Sequence, residues 1–338
     1  MSHYDVAVLG GGPGGYVAAI RAAKLGKKVA LVEKKELGGT CLNWGCIPTK
    51  ALLHSAELYQ EMKDASKLGI LVTGLSFDYG KIAARRDAVV KKLRMGIAGL
   101  LKGNHITLFA AEGKLLDAHT LRAGEETLSA DNIILAMGSF PAALPIPGIE
   151  TAKNSNDVLA MTTVPKSAVI IGGGVIGVEF ATLLSSLDVK VTIVEMAPQI
   201  LPGTDGDIAL ATRKLLEKQT TVIHTGAKVL AVENGTACVF ELDGKTQRAE
   251  GDMVIVAVGR KPATAGLGLE AIGVTLERGF VKVDDEMRTG VAGVFAIGDI
   301  TGKMQLAHGY DNIGKHAGIG IRMSGNEREQ QRQQLCAR

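Results

Sequence analysis

Two stretches of this chain read alike: Val6-Ala-Val-Leu-Gly10-Gly-Gly12-Pro-Gly-Gly15 near the start and Val169-Ile-Ile-Gly172-Gly-Gly174-Val-Ile-Gly177 in the middle. At a shift of 162 the three glycines fall on one another, and so do Lys28-Val-Ala-Leu-Val-Glu33 and Lys190-Val-Thr-Ile-Val-Glu195. Each copy predicts an apolar strand, a glycine turn, a helix and a second apolar strand closed by glutamate, the βαβ pattern of a dinucleotide-binding unit. The first glycine (Gly10, Gly172) serves the tight turn, and the second (Gly12, Gly174) lets backbone N–H groups reach a pyrophosphate. The third (Gly15, Gly177) lets helix and strand pack closely. The helix N-terminus then faces the anion with its partial positive charge. Glu33 and Glu195 each stand 18 positions after the third glycine, where a carboxylate accepts hydrogen bonds from ribose hydroxyls and repels a 2′-phosphate.

A second correspondence, at a shift of 121, pairs Asp131-Asn-Ile-Ile-Leu-Ala-Met-Gly138 with Asp252-Met-Val-Ile-Val-Ala-Val-Gly259, each read as the last buried strand of its unit. The difference between the two shifts gives the first unit 41 additional residues between its glutamate and its last strand. Composition agrees with a soluble two-unit chain. Of 338 residues, 46% are hydrophobic and 22% charged, and 38 basic against 35 acidic residues leave a net charge of +3, with no footprint for nucleic acid or anionic lipid. No stretch approaches the roughly 20 apolar residues of a membrane span, and no secretory signal precedes Gly10. The 43 glycines serve local turns. Lys81 to Lys102 reads as an amphipathic helix whose Ile82, Val89, Val90, Leu93, Ile97, Leu100 and Leu101 are expected to pack.

The additional segment carries Cys41 and Cys46 in Gly38-Gly-Thr-Cys41-Leu-Asn-Trp-Gly-Cys46-Ile-Pro-Thr-Lys50, ahead of a helical stretch from about Ala51 to Lys63. Five positions along a regular helix span about 7.5 Å, beyond the usual Cα separation for a disulfide, so a bridge demands an irregular helix start. Gly45 and Pro48 supply one, and a strained bridge over so small a loop is easily reduced. A pair of buried thiols and half of a zinc site are the alternatives; zinc lacks further ligands, since Cys238 and Cys336 are isolated and no histidine clusters with the pair. No metal is therefore expected. Cys238, in an apolar run, reads as a core residue. With four cysteines and no signal, the expected compartment is the reducing cytosol.

The segment Gly38 to Lys50, the first glycine fingerprint, Gly172-Gly-Gly-Val-Ile-Gly-Val-Glu179 and Gly293-Val-Phe-Ala-Ile-Gly298-Asp299 together resemble the pyridine nucleotide-disulfide oxidoreductases, and among them the dihydrolipoamide dehydrogenase branch more than the glutathione or mercuric branches. The resemblance implies an α/β fold of two Rossmann-like domains of the FAD/NAD(P)-binding type, the second inserted in the first. It implies FAD on the first unit, with Glu33 on the adenosine ribose and Asp299 on the ribityl chain, and NAD on the second, with Glu195 on its ribose. Cys41 becomes the thiol that exchanges with substrate and Cys46 the one against the flavin. Lys50 and Glu179 match an ion pair beside the flavin ring, and Gln305-Leu-Ala307-His308 a helix start facing its C2 carbonyl, which leaves His308 positional. Gly138 and Gly259 would line the cofactor clefts.

The expected domains are 1–145 and 271–320 for FAD and 146–270 for NAD, followed by a polar tail over 321–338. The family's interface domain, which forms its homodimer and supplies a His–Glu base, is not read in this sequence; His316 lacks the context of that base. The implied reaction passes electrons between a dihydrolipoamide-type dithiol, a Cys41–Cys46 disulfide, FAD and NAD, with a lipoyl domain of a 2-oxoacid dehydrogenase complex as partner and NADH diaphorase activity as the part least dependent on an interface domain. Another disulfide reductase of the superfamily, or a catalytically silent flavin-binding module, are the competing readings.

Overall fold

The computed structural model describes residues 1–307, which fall into two compact units. Unit 1 comprises Met1–Asn43, Lys92–Phe140 and the chain from Pro262; unit 2 comprises Trp44–Lys91 and Pro141–Lys261. His308, His316, Cys336 and the expected tail lie outside the described residues.

In unit 1, strands β1 (Ser2–Leu9), β2 (Val29–Val32), β3 (Thr107–Phe109), β4 (Gly113–Leu115), β5 (Thr120–Ala123) and β6 (Glu126–Leu135) form a sheet in the order β3-β2-β1-β6-β5-β4, and Val294–Ala296 adds a further strand on β6. All of these pair in parallel except β4 and β5, which are antiparallel. Parallel strands are covered on both faces and need unbroken apolar runs rather than alternation; all four residues of Val29–Val32 are buried. Helix α1 (Pro13–Lys24) makes the crossover from β1 to β2. It buries Gly14, Gly15, Ala18, Ala19 and Ala22, a face of small residues that brings the helix axis close to the sheet.

The additional segment of the sequence becomes α2 (Gly39–Trp44), α3 (Cys46–Asp64) and the start of α4 (Tyr79–Gly103). Unit 2 then repeats the plan of unit 1. After the short α5 (Ser155–Leu159), capped by Asn154, its parallel sheet has the order Val222–His224, Lys190–Val194, Ser167–Ile171, Met253–Val256. Helix α6 (Val175–Ser186) follows the glycine turn and α7 (Gly206–Lys218) precedes Val222. A three-stranded antiparallel sheet, Lys228–Glu233, Ala237–Leu242 and Lys245–Glu250, completes the unit. The two sequence shifts meet in register: Leu9 stands opposite Leu135 and Ile171 opposite Val256, so both correspondences map one sheet onto the other.

Two glycines in each unit are demanded by the chain itself. Gly10 has φ +106° and Gly172 φ +105°, in the left-handed region where side chains are strained. A Cβ on Gly10 would lie 2.3 Å from the Ala136 carbonyl oxygen, and one on Gly172 2.5 Å from that of Ala257. At the third position the fit is tighter still: a Cβ on Gly15 or Gly177 would stand 1.8 or 1.9 Å from the carbonyl oxygen of the first glycine.

Two expectations differ from the structure in instructive ways. Helix α4 covers Tyr79–Gly103, but Leu93 and Leu100 are 43% and 54% exposed, while Ala83, Arg86, Ile97 and Leu101 are buried. The inward stripe at helical spacing therefore runs through an arginine. Arg86 is accommodated because its Nη1 donates to the carbonyls of Leu159 at 2.5 Å and Met161 at 3.1 Å, so the buried charge has partners. The helix containing Lys50 begins at Cys46 rather than near Ala51. Cys238 is buried as expected, in a cluster with Val169, Ile171, Phe240 and Val254.

Gly177→Ala is expected to lower stability by about 2–4 kcal/mol, the range of a backbone clash that cannot relax, with a matching loss in denaturant midpoint. Burial pushes the Cys238 thiol up to about 12 from its ordinary 9.0. A folded value raised above the unfolded one stabilises fully below the unfolded value, and that stability is lost as pH rises from there through the folded value. The melting temperature should therefore fall between pH 9 and pH 12 more steeply in the native chain than in Cys238→Val, a comparison that thermal scans in buffered series make directly.

Candidate functional site

The middle glycine of each fingerprint differs from its neighbours. A Cβ on Gly12 would meet only the Gly39 Cα at 3.8 Å, and one on Gly174 nothing within 4 Å. Packing asks for no glycine there. Each residue is the N-cap of its helix, α1 or α6, with no side-chain cap and no acidic residue in the first turn. The first N–H groups of a helix have no partner within it, so two helix starts, each beside a space that a side chain would fill, form cradles for an anion. This is the fit a dinucleotide pyrophosphate requires, and it occurs once in each unit.

The two glutamates are fixed in the same way. Glu33 accepts from the N–H of Gly11 at 2.7 Å and of Lys35 at 2.8 Å; Glu195 accepts from Gly173 at 2.5 Å and Ala197 at 2.6 Å. Each carboxylate is thus oriented by two backbone donors and keeps further lone pairs that could accept from a ligand. The loop that follows also repeats: Gly38 N–H donates to the Gly11 carbonyl at 2.8 Å and Leu201 N–H to that of Gly173 at 2.7 Å. The glycine between the first and second fingerprint positions, Gly11 or Gly173, therefore ties the glutamate and the following loop to the turn in both units, a role not read from the sequence. Its signal was the unbroken Gly-Gly-Gly in both copies.

Cys41 lies in α2 and Cys46 opens α3, both half-buried. Gly45 separates the helices with φ −154° and ψ −114°, an irregular start of the kind that a bridge between the two cysteines would need. Thr49 closes it by donating both N–H, at 3.0 Å, and Oγ1, at 2.7 Å, to the Gly45 carbonyl. Within unit 2, α3 packs along α6. Lys50 Nζ stands 2.9 Å from Glu179 Oε1, Gln60 Nε2 donates to the Ser186 carbonyl at 2.6 Å, and Tyr59 and Lys63 both bond Asp188. The two charged residues singled out in the sequence are thus brought together.

In unit 1, Asp299 lies in the helical turn Gly298–Thr301 and accepts a hydrogen bond from Ser139 Oγ. Ser139 was not anticipated; it follows Gly138, whose φ of +70° turns the chain out of β6. Gly259, the counterpart in unit 2, has φ +109°. Ala307 is the last described residue. Among the described residues no helix is long and apolar enough to cross a membrane.

Comparison with known proteins places this geometry. The family model described as pyridine nucleotide-disulphide oxidoreductase matches residues 4–311. A dihydrolipoyl dehydrogenase of Acholeplasma laidlawii is 43% identical over 323 residues, covering 94% of either chain. One of Bacillus subtilis is 41% identical over 327 residues, covering 94% of this chain and 70% of its own. Among solved structures, the Cu(II) complex of the HOCl-induced flavoprotein disulfide reductase RclA from Escherichia coli matches with a TM-score of 0.84 and 30% identity, over 96% of this chain and 72% of that one. Two anion cradles with pinned glutamates and a cysteine pair at an irregular helix start thus sit on a chain that matches the family model over nearly its whole length: it belongs to the pyridine nucleotide-disulphide oxidoreductase family, flavoprotein enzymes whose cofactors are FAD and NAD.

Proposed function

We propose that this chain oxidises a dihydrolipoamide-type dithiol at a Cys41–Cys46 disulfide and passes the electrons to NAD. The observation that carries the reading is the doubled cradle with its pinned glutamate, of which only the first copy is followed by a cysteine pair. FAD would lie on the first cradle, held by Gly10, Gly12, Gly15, Glu33 and Asp299; NAD would lie on the second, held by Gly172, Gly174, Gly177 and Glu195. When bound, FAD supplies the relay that hands an electron pair between dithiol and nicotinamide.

The chain's own residues supply the rest. In the oxidative direction one substrate sulfur attacks Cys41 Sγ, the Cys41–Cys46 bond breaks, and Cys46 leaves as a thiolate. The second substrate sulfur then displaces Cys41, so the substrate departs as its disulfide and the cysteines keep its two electrons as a dithiol. Cys46 suits the leaving role because it is the first residue of α3, a 19-residue helix, whose N-terminal partial charge favours an anion. Lys50 follows one turn later on the same face, with its ammonium oriented by Glu179; by family resemblance this pair would tune the flavin. A lipoyl domain of a 2-oxoacid dehydrogenase complex would present the dithiol, and a reducing compartment such as the cytosol would suit a reducible bridge.

Three measurements test this reading. Glu195 meets a 2′-phosphate with like charge, so NADH should reduce the holoprotein with a kcat/KM on the order of 10²-fold above that of NADPH; Glu195→Gln should narrow the gap, and equal rates in the native chain would refute the assignment. After two-electron reduction Cys41, the exchanging thiol, should be carboxymethylated by iodoacetamide faster than Cys46, and peptide mapping showing the reverse would exchange their roles. Dye reduction by NADH needs only the groups that would bind FAD and NAD, whereas dithiol oxidation also needs the exchanging thiol. Cys41→Ser should therefore keep NADH-driven dye reduction, a diaphorase activity, and abolish dihydrolipoamide oxidation. Dihydrolipoamide oxidation that survives in Cys41→Ser would refute the assignment.

A further inference from the structure

The wall of the first cradle is an unusual turn. Gly38 and Gly39 are consecutive left-handed residues, φ +93° and +55°, and Gly39 lies so near Gly12 that a Cβ on it would stand 2.6 Å from the Gly12 Cα. Two adjacent glycines have little intrinsic preference for one conformation, so something else must hold the turn. Asn43, in α2, does so. Its Nδ2 donates to the Leu37 carbonyl at 2.9 Å and to the Gly39 carbonyl at 3.0 Å, which spends both amide N–H groups on the two sides of the turn. The orientation is forced, because the reverse placement would set Oδ1 against two carbonyl oxygens. Oδ1 is then left buried with no hydrogen-bond partner among the described residues, although a buried acceptor without a partner is costly and uncommon. The second cradle has a different brace, Gln199 Nε2 donating to the Thr204 carbonyl at 3.1 Å.

We propose that Asn43 is a positioning residue for FAD: its amide N–H pair locks the Leu37–Gly39 turn against Gly12, and its buried Oδ1 is an acceptor that bound FAD satisfies, directly or through a water it orders. One side chain, two residues from Cys41 in sequence, then ties the cysteine-bearing helix to the cradle wall. The inference rests on the reading of the first unit as the FAD site.

The test uses the holoprotein and its Asn43→Leu variant, which keeps the shape and removes donors and acceptor together. FAD release is followed by recovery of free-flavin fluorescence, and the Kd of NAD+, bound in the other unit, serves as the control for folding. The expected result is a rise of about tenfold or more in the Kd of FAD with the Kd of NAD+ within twofold of native. An unchanged FAD Kd overturns the proposal, even if the melting temperature falls, because a purely structural brace would weaken the fold without selecting the flavin. If Asn43→Leu loses both affinities, Asn43→Ser, which leaves room for water, is judged by the same criterion, and a parallel loss of both cofactors there also overturns the proposal. Native protein that takes up no FAD would instead refute the site reading itself.

Discussion

The contact on which each unit depends is the one between the third glycine and the carbonyl oxygen of the first. With a hypothetical Cβ only 1.8 or 1.9 Å from that oxygen, no other residue lets the helix start this close to the end of its strand. That proximity aims the first turn of α1 and α6 across the sheet edge, and everything functional follows from the aim. The uncapped N–H groups point at one place, the middle glycine leaves the place open, and the glutamate of the next strand is tied to it through the N–H of Gly11 or Gly173. Helix, cradle and carboxylate form one steric arrangement made twice, on four parallel strands whose order is the same in both units.

What distinguishes the two copies is chain inserted after the first glutamate. Its helix α3 packs along α6 of unit 2, and the polar contacts there serve geometry more than stability. Lys50 and Glu179 are 62% and 29% exposed, and an ion pair so accessible contributes at most about 1 kcal/mol. What the pair does is fix the Lys50 ammonium against Glu179 of α6. Arg86 is the contrasting case: its guanidinium is buried, and two carbonyl partners make it a brace between α4 and the end of α5.

Much of this is legible in the residues alone. The twin fingerprints, the strand correspondences at both shifts and the terminal glutamates all reflect backbone constraints that act within a few positions, such as a left-handed φ at Gly10 or an unbroken apolar run at Val29–Val32. The irregular helix start between Cys41 and Cys46 was expected if the two bridge, since a regular helix holds such a pair too far apart, and Gly45 and Pro48 marked the place. The packing face of α4 was read only in part: Ile97 and Leu101 are buried as expected, but periodicity marks apolar residues, and the buried stripe passes through Arg86 while Leu93 and Leu100 face solvent.

The sequence by itself determined the number of dinucleotide units, their internal order, the carboxylate that ends each second strand and the cysteine pair, because each is written as a local pattern of residue types. Family resemblance, not spacing, suggested that Lys50 and Glu179 meet. Tertiary structure alone decided how that pair is held, with Gln60, Lys63 and Tyr59 along the same helix, that Ser139 holds Asp299 from 160 positions away, and that Asn43 reaches back to the glycine turn. Long-range hydrogen bonds depend on where two backbones have been brought by packing, and a polar side chain carries no mark in the sequence of the partner it will find.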